Sequence, residues 1–184
     1  MPRSTILKKQ KSCEKRYMFV FDTSTIIVLQ ELGCVDLIDS IRRQCNVKII
    51  IPQAVKNEFL RSGSQIDIQS NDIVEISTEV DVHAVDVPQS LGEGERHAIA
   101  IAYAISKSNS ESVALVITDD LRARRTCKKM GIKVLGTLGL IEFAKRYGVI
   151  TKEEALNLLK RIPSTSLHIT QEVLEEVRSK IISQ

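Results

Sequence analysis

Four short apolar runs, separated by segments with helical periodicity, constrain the fold of this chain more than any other feature. Residues 17–21, 47–51, 113–117 and 133–135 read as strands, the first three nearly continuous in apolar side chains, as strands buried on both faces are. Between the first two, Ile26, Ile27, Leu29 and Leu32 recur at helical spacing over 23–32 until Gly33 stops the run, and residues 35–41 continue as a second helical piece. Pro52 then opens a helix over 53–60 that places Val55 and Phe59 at i, i+4. A long helix starting at Gly92 to Glu95 and reaching about Ser106 is so rich in alanine and isoleucine that it must be well buried. Residues 121–130 and 138–147 supply two more helices, closed by Gly131 and Gly148. Strand and helix therefore alternate about four times, the pattern of a parallel sheet covered on both faces. The intervening residues 66–77 are expected to hold a short helix and strand, and residues 80–87 an edge strand or extended loop. Beyond the sheet, Thr151 to Glu154 fits a capping box for a helix that Pro163 breaks, and a last amphipathic helix covers 170–182.

A chain of 184 residues with 43% hydrophobic side chains can bury a core of its own. The expected organisation is a basic, flexible tail over 1–16, an α/β body over 17–150, and a helical extension over 151–184 packed on the same domain. The net charge of +3 conceals an asymmetry: residues 1 to 17 carry six basic side chains against Glu14, while the remainder carries 20 basic and 22 acidic ones. No apolar run approaches the roughly 18 residues needed to span a bilayer, so no membrane partner is expected. The basic N-terminus is not followed by a signal core of about 7–15 apolar residues. Cys13, Cys34, Cys45 and Cys127 form no CxxC pair, and His83, His97 and His168 are scattered, which argues against a zinc site and for reduced thiols in a cytoplasmic setting.

Acidic residues stand where the apolar runs meet the helices. Asp22 follows the first strand, Asp119 and Asp120 follow the third, and Glu58 and either Glu93 or Glu95 lie early in intervening helices. In a parallel sheet, ligands bind in the crevice at the carboxyl ends of the strands. Carboxylates gathered there would repel one another and raise their own pKa values unless a cation neutralised them. Oxygen donors without histidine or cysteine favour Mg²⁺ or Mn²⁺. Such ions activate water and clamp the oxygens of an in-line displacement, the chemistry of phosphodiester hydrolysis.

Several neighbours of these acids have two readings. Thr23, Ser24 and Thr25 either orient a bound water or phosphate or simply cap a helix, and Thr118 precedes the aspartate pair in the same way. In Gly92-Glu93-Gly94-Glu95 the glycines permit a tight turn into a helix whose N-terminal end favours carboxylates. Arg122, Arg124, Arg125, Lys128 and Lys129 either form a solvated face or hold the phosphates of a polyanion such as RNA beside the acids. With aromatic residues at only 4% and no Trp, backbone contacts rather than base stacking are expected to lead recognition.

These residues resemble the PIN domain family of metal-dependent nucleases. Phe19-Val20-Phe21-Asp22-Thr23-Ser24 is similar to the family's opening strand and first acid, and Pro52 to Phe59 to the helix bearing the second, Glu58. Gly92-Glu93-Gly94-Glu95 resembles the third and Thr118-Asp119-Asp120 the fourth, in matching order over about residues 17 to 147. The resemblance implies a three-layer α/β/α sandwich with a mainly parallel sheet of four or five strands, and an endoribonuclease dependent on Mg²⁺ or Mn²⁺. It further implies, in many relatives, a dimer and the toxin half of a toxin–antitoxin pair, of the VapC type, silenced by a small antitoxin. It assigns Asp22, Glu58, Glu95 and Asp120 to metal and catalysis, with Asp119 as a fifth acid, Glu93 a competitor for the third position, and Ser24 and Thr118 additional. This chain departs from the pattern in using a glutamate third and in following the fourth acid with Leu121-Arg122. A haloacid-dehalogenase-like phosphatase would need an aspartate where Ser24 stands, and a receiver domain an early acidic pair. The rival reading is a PIN-like module that binds RNA or protein without cutting.

Overall fold

The computed structural model describes residues 16–61, 85–108 and 112–183. The expected tail, apart from Arg16, and the elements expected over 66–77 and 80–84 lie outside these residues. The chain runs β1 (Arg16–Phe21), α1 (Thr23–Glu31), α2 (Asp36–Cys45), β2 (Val47–Ile50), α3 (Gln53–Arg61), α4 (Glu93–Ser108), β3 (Ser112–Ile117), α5 (Leu121–Lys129), β4 (Lys133–Leu135), α6 (Thr137–Arg146), α7 (Lys152–Arg161), a 3-10 turn (Ile162–Ser164) and α8 (Gln171–Ser183). The four strands are all parallel, in the order β2-β1-β3-β4. The expected α/β/α sandwich is therefore present, with four strands among the described residues.

Alternation along the strands divides the core. Phe19, Phe21, Leu115 and Ile117 pack under α1, α2, α3 and α6, whereas Val20, Ile50, Ala114 and Val116 pack under α4 and α5. A third apolar layer covers the outer side of α1 and α6, where Val28, Leu32, Leu138 and Ile141 meet Leu159, Ile162, Val177 and Ile181 of the C-terminal helices. The capping box opening α7 is formed: the Thr151 hydroxyl accepts from Glu154 N at 3.1 Å, and the Glu154 carboxylate accepts from Thr151 N at 2.7 Å. Helix α2 extends a turn beyond the expected 35–41. Cys45 prolongs the buried stripe of Leu37, Ile38 and Ile41, while Arg42 and Arg43 reach back to Asp39 and Asn46 ends the helix at φ 51°. Among the described residues, no helix is long and apolar enough to cross a membrane.

The sheet order sets the position of the site. From the central β1 the chain crosses to β2 on one side and later returns to β3 on the other. The carboxyl ends of β1 and β3 thus flank a topological switch point, where helices leave in opposite directions and open a crevice.

Candidate functional site

Register carries Asp22 and Thr118 into that crevice together. The β1–β3 pairing ends with Phe21 opposite Ile117, and the next backbone bond, Asp22 N to Ile117 O at 3.0 Å, prolongs it by one residue. The Thr118 hydroxyl then donates to Asp22 Oδ2 at 2.9 Å, and the Ser24 hydroxyl donates to the same oxygen at 2.8 Å. Asp22 is also the N-cap of α1, receiving a longer bond from Ser24 N at 3.4 Å. At 2% exposure, burial pushes its pKa up, and the Ser24 and Thr118 hydroxyls pull it only part of the way back.

Three further acids stand around it. Glu95, in the first turn of α4, accepts from Gly92 N. Burial raises its pKa, and the negative charges of Asp22 and Asp120 raise it further, with Arg122 opposing. Asp120 caps α5 through Oδ1, which accepts from Arg122 N and Ala123 N at 2.8 Å each. Glu58 enters from α3, where Oε1 accepts from Gly94 N at 2.9 Å and Oε2 accepts from the Thr23 hydroxyl, tying three helices together. Glu95 thus lies within electrostatic reach of both Asp22 and Asp120, and Glu58 is locked to the neighbours of Asp22 and Glu95.

The other two acids face elsewhere. Glu93 is exposed and pairs with Arg61 at 3.7 Å. Asp119 has the opposite parity from Thr118 and points toward α1 and α6. Its Oδ1 accepts from Thr137 N at 2.9 Å, and its Oδ2 accepts from the Thr137 hydroxyl and from Thr25 Oγ1 at 3.2 Å. Its own N–H donates to Ser24 Oγ at 3.0 Å. Asp119 is therefore a pin between strand end and helices, and Thr137 and Thr25 are its partners. The sequence reading gave Thr137 no role.

Three glycines make this packing possible in a way the turn argument missed. A Cβ on Gly94 would lie 2.8 Å from Glu58 Oε2, one on Gly92 3.1 Å from Glu95 Oε2, and one on Gly136 would meet Asp119 Oδ1 and stand 2.8 Å from Arg124 Nη1. Each glycine lets a carboxylate approach the backbone closely.

Of the basic residues on α5, one reaches the loop before α4 and one the end of β3. Arg122 donates to Ser90 O and Arg124 to Thr118 O, both at 3.2 Å, while Arg125 and Lys128 are exposed on the outer face. Arg96 donates from Nη1 to Gln89 Oε1 at 2.8 Å, and its Nε is buried without a hydrogen-bond partner.

Carboxylate and hydroxyl oxygens face the crevice, and no salt bridge among the described residues neutralises Asp22, Glu58, Glu95 or Asp120. That donor set suits a hard divalent cation, which would relieve the burial of negative charge at Asp22 and Glu95. The acids are held on backbone N–H groups and hydroxyls, and among the described residues no group of three or more stands at the spacing of a formed metal site.

The chain resembles known proteins as follows. A family model described as PIN domain matches residues 18–183. Among solved structures, a PilT N-terminus domain protein from the hyperthermophilic archaeon Sulfolobus solfataricus P2 superposes with a TM-score of 0.45 at 17% identity, over 67% of this chain and 89% of that one. No curated protein matches. The match of the family model over nearly the whole chain establishes that this chain belongs to the PIN domain family, whose members are generally nucleases using divalent metals.

Proposed function

We propose that the chain is an endoribonuclease that hydrolyses RNA phosphodiester bonds with Mg²⁺ or Mn²⁺. The observation that carries this reading is the meeting of Asp22, Glu95 and Asp120, from β1, α4 and the β3–α5 junction, at the switch point of the sheet, with burial raising the pKa values of Asp22 and Glu95. Asp22, Glu95 and Asp120 would hold the cation, with Glu58 supporting through Thr23 and the start of α4. When bound, such an ion acidifies a water and offsets the charge that builds on the phosphate.

The chain's own groups do the rest. Ser24 and Thr118 hold Asp22 in one orientation, so that its free energy of positioning is met before substrate arrives. Arg122 and Arg124, in the first turn of the helix that Asp120 caps, would meet the phosphates that four carboxylates would otherwise repel. In the cell this activity would belong to the toxin of a toxin–antitoxin pair, silenced by a small antitoxin and acting as a dimer in the cytoplasm.

The second reading, a PIN-like module that binds without cutting, draws on the absence among the described residues of a formed three-acid metal site. Cleavage of a mixed single-stranded RNA pool, with and without Mn²⁺ or Mg²⁺, separates the two. Metal-dependent cutting that is lost in Asp22→Asn and in Asp120→Asn is the expected result. RNA bound but intact under every condition would turn the assignment to the binding module.

A further inference from the structure

Against the segment from Asp119 to Arg124, between the β4–α6 corner, residues 167–170 and α8, lies a cavity of about 720 Å³, within the size range of small-ligand sites. We propose that this cavity is a subsite for the nucleotide of a single-stranded RNA adjacent to the scissile phosphate, with the base against an aliphatic wall and a phosphate on Arg124. The inference rests on the ribonuclease reading and deepens it.

Position is the first argument. The cavity shares Asp119, Leu121 and Arg124 with the loop and helix start that present Asp120. It opens at the β4–α6 corner, and β4 is the strand next to β3, one spacing of about 5 Å further along the sheet. A strand of RNA lying along the carboxyl edge, with one phosphate at the acids, therefore carries its next nucleotide over this corner.

Shape and chemistry are the second. Leu138, Ile169 and Val173 give the cavity an apolar wall, and Leu121 at 65% exposure and Val173 at 42% leave large apolar side chains open at its lip. The two carboxylates in the lining are already engaged, Asp119 by Thr137 and Thr25, and Glu176 by Lys180 at 2.6 Å. Arg124 directs one N–H to the Thr118 carbonyl, and a guanidinium has five such donors, so it retains capacity for an anion. An apolar peptide side chain would use the wall and leave the remaining guanidinium donors unused. A nucleotide uses both. The lining has no Phe, Tyr or Trp, and its one ring is the exposed imidazole of His168, so the base would be held mainly by burial with at most one stacking partner, and discrimination among bases would be weak.

The test uses the full chain in two forms. Asp22→Asn is photo-crosslinked to single-stranded RNA carrying 4-thiouridine, and the adducts are mapped by mass spectrometry. Val173→Glu, a change at a partly exposed position, is assayed for cleavage of the same RNA, with its thermal midpoint compared with wild type. Adducts in 135–139 or 167–177, with KM raised about tenfold and kcat changed less than twofold in the variant, are expected. Wild-type cleavage with adducts confined elsewhere and an unchanged KM overturns the subsite and leaves the ribonuclease standing. Adducts in the cavity without cleavage by wild type uphold the RNA site and overturn the ribonuclease. A second polypeptide found seated in the cavity of the purified protein, in place of RNA, overturns the subsite.

Discussion

Asp22 couples the chemistry of the crevice to the stability of the fold. Its carboxylate is nearly inaccessible, lacks an ion pair among the described residues and has its pKa raised by burial, so the ionised group is harder to form in the folded chain than in the unfolded one. The folded state then binds the proton more tightly, and stability falls as pH rises from the ordinary carboxylate range near 4 through the raised folded value. Asp22→Asn keeps an oxygen acceptor for Ser24 and Thr118 and removes the charge. In metal-free protein it should melt higher than wild type at neutral pH, with the difference shrinking as pH approaches about 4, while RNA cleavage falls on the order of 100-fold or more. Melting curves across that range, with EDTA present, test the first part; a variant less stable than wild type at neutral pH would show that Asp22 is held by something other than these hydroxyls. Thr118→Val should do the reverse. It leaves the buried carboxylate without one of its two hydroxyl donors, which lowers stability by about 1.5–3 kcal/mol and pushes the Asp22 pKa higher still, readable by urea unfolding at two pH values.

Helix starts do most of the positioning, and the glycines within them make opposite predictions. At Gly94 the atoms a methyl group would meet are the far end of the Glu58 side chain, which can swing away, and alanine suits the helix by up to about 1 kcal/mol. Gly94→Ala should therefore fold about as well as wild type and cleave less, because Glu58 loses its bond to the α4 backbone. At Gly136 the obstacles are Asp119, pinned by Thr137 and Thr25, and Arg124, so Gly136→Ala should cost about 1–3 kcal/mol of stability. Thermal melts of both variants beside RNA cleavage assays check the contrast. Much of this layer was legible beforehand. Apart from the last turn of α2, the apolar runs and glycine stops marked the described strands and helices to within a residue or two, because strands buried on both faces leave little choice of side chain. The division of labour between Asp119 and Asp120 also follows from the two-residue period that continues past Ile117, although the sequence reading kept both as metal candidates. What could not be read was the contact of Glu58 with Gly94. It joins helices 36 residues apart, and neither end shows any local pattern that refers to the other.

At the level of the whole molecule, the three apolar layers share elements, and α1 and α6 are the bridge. They pack on the sheet with one side, and with the other they support α7 and α8. The same two helices carry Asp22 to Thr25 and Thr137, so the C-terminal helices back the site without lining the crevice of acids. Ile181 is fully buried in the outer layer, and Ile181→Ala should lower stability by about 2–5 kcal/mol. How that loss spreads can be read from the opposite face of the sheet. Cys127 is fully buried on the inner face of α5, its thiol pushed up to about 12 by burial, so alkylation at neutral pH requires the layer around it to open. If the molecule opens as one unit, Ile181→Ala should accelerate labelling of Cys127 in proportion to its loss of stability, since each 1.4 kcal/mol raises the open population about tenfold. Labelling at the wild-type rate, with stability nonetheless reduced, would mean that α7 and α8 come away while the sheet stays closed. Because α1 and α6 hold both layers, the single-unit outcome is the expected one.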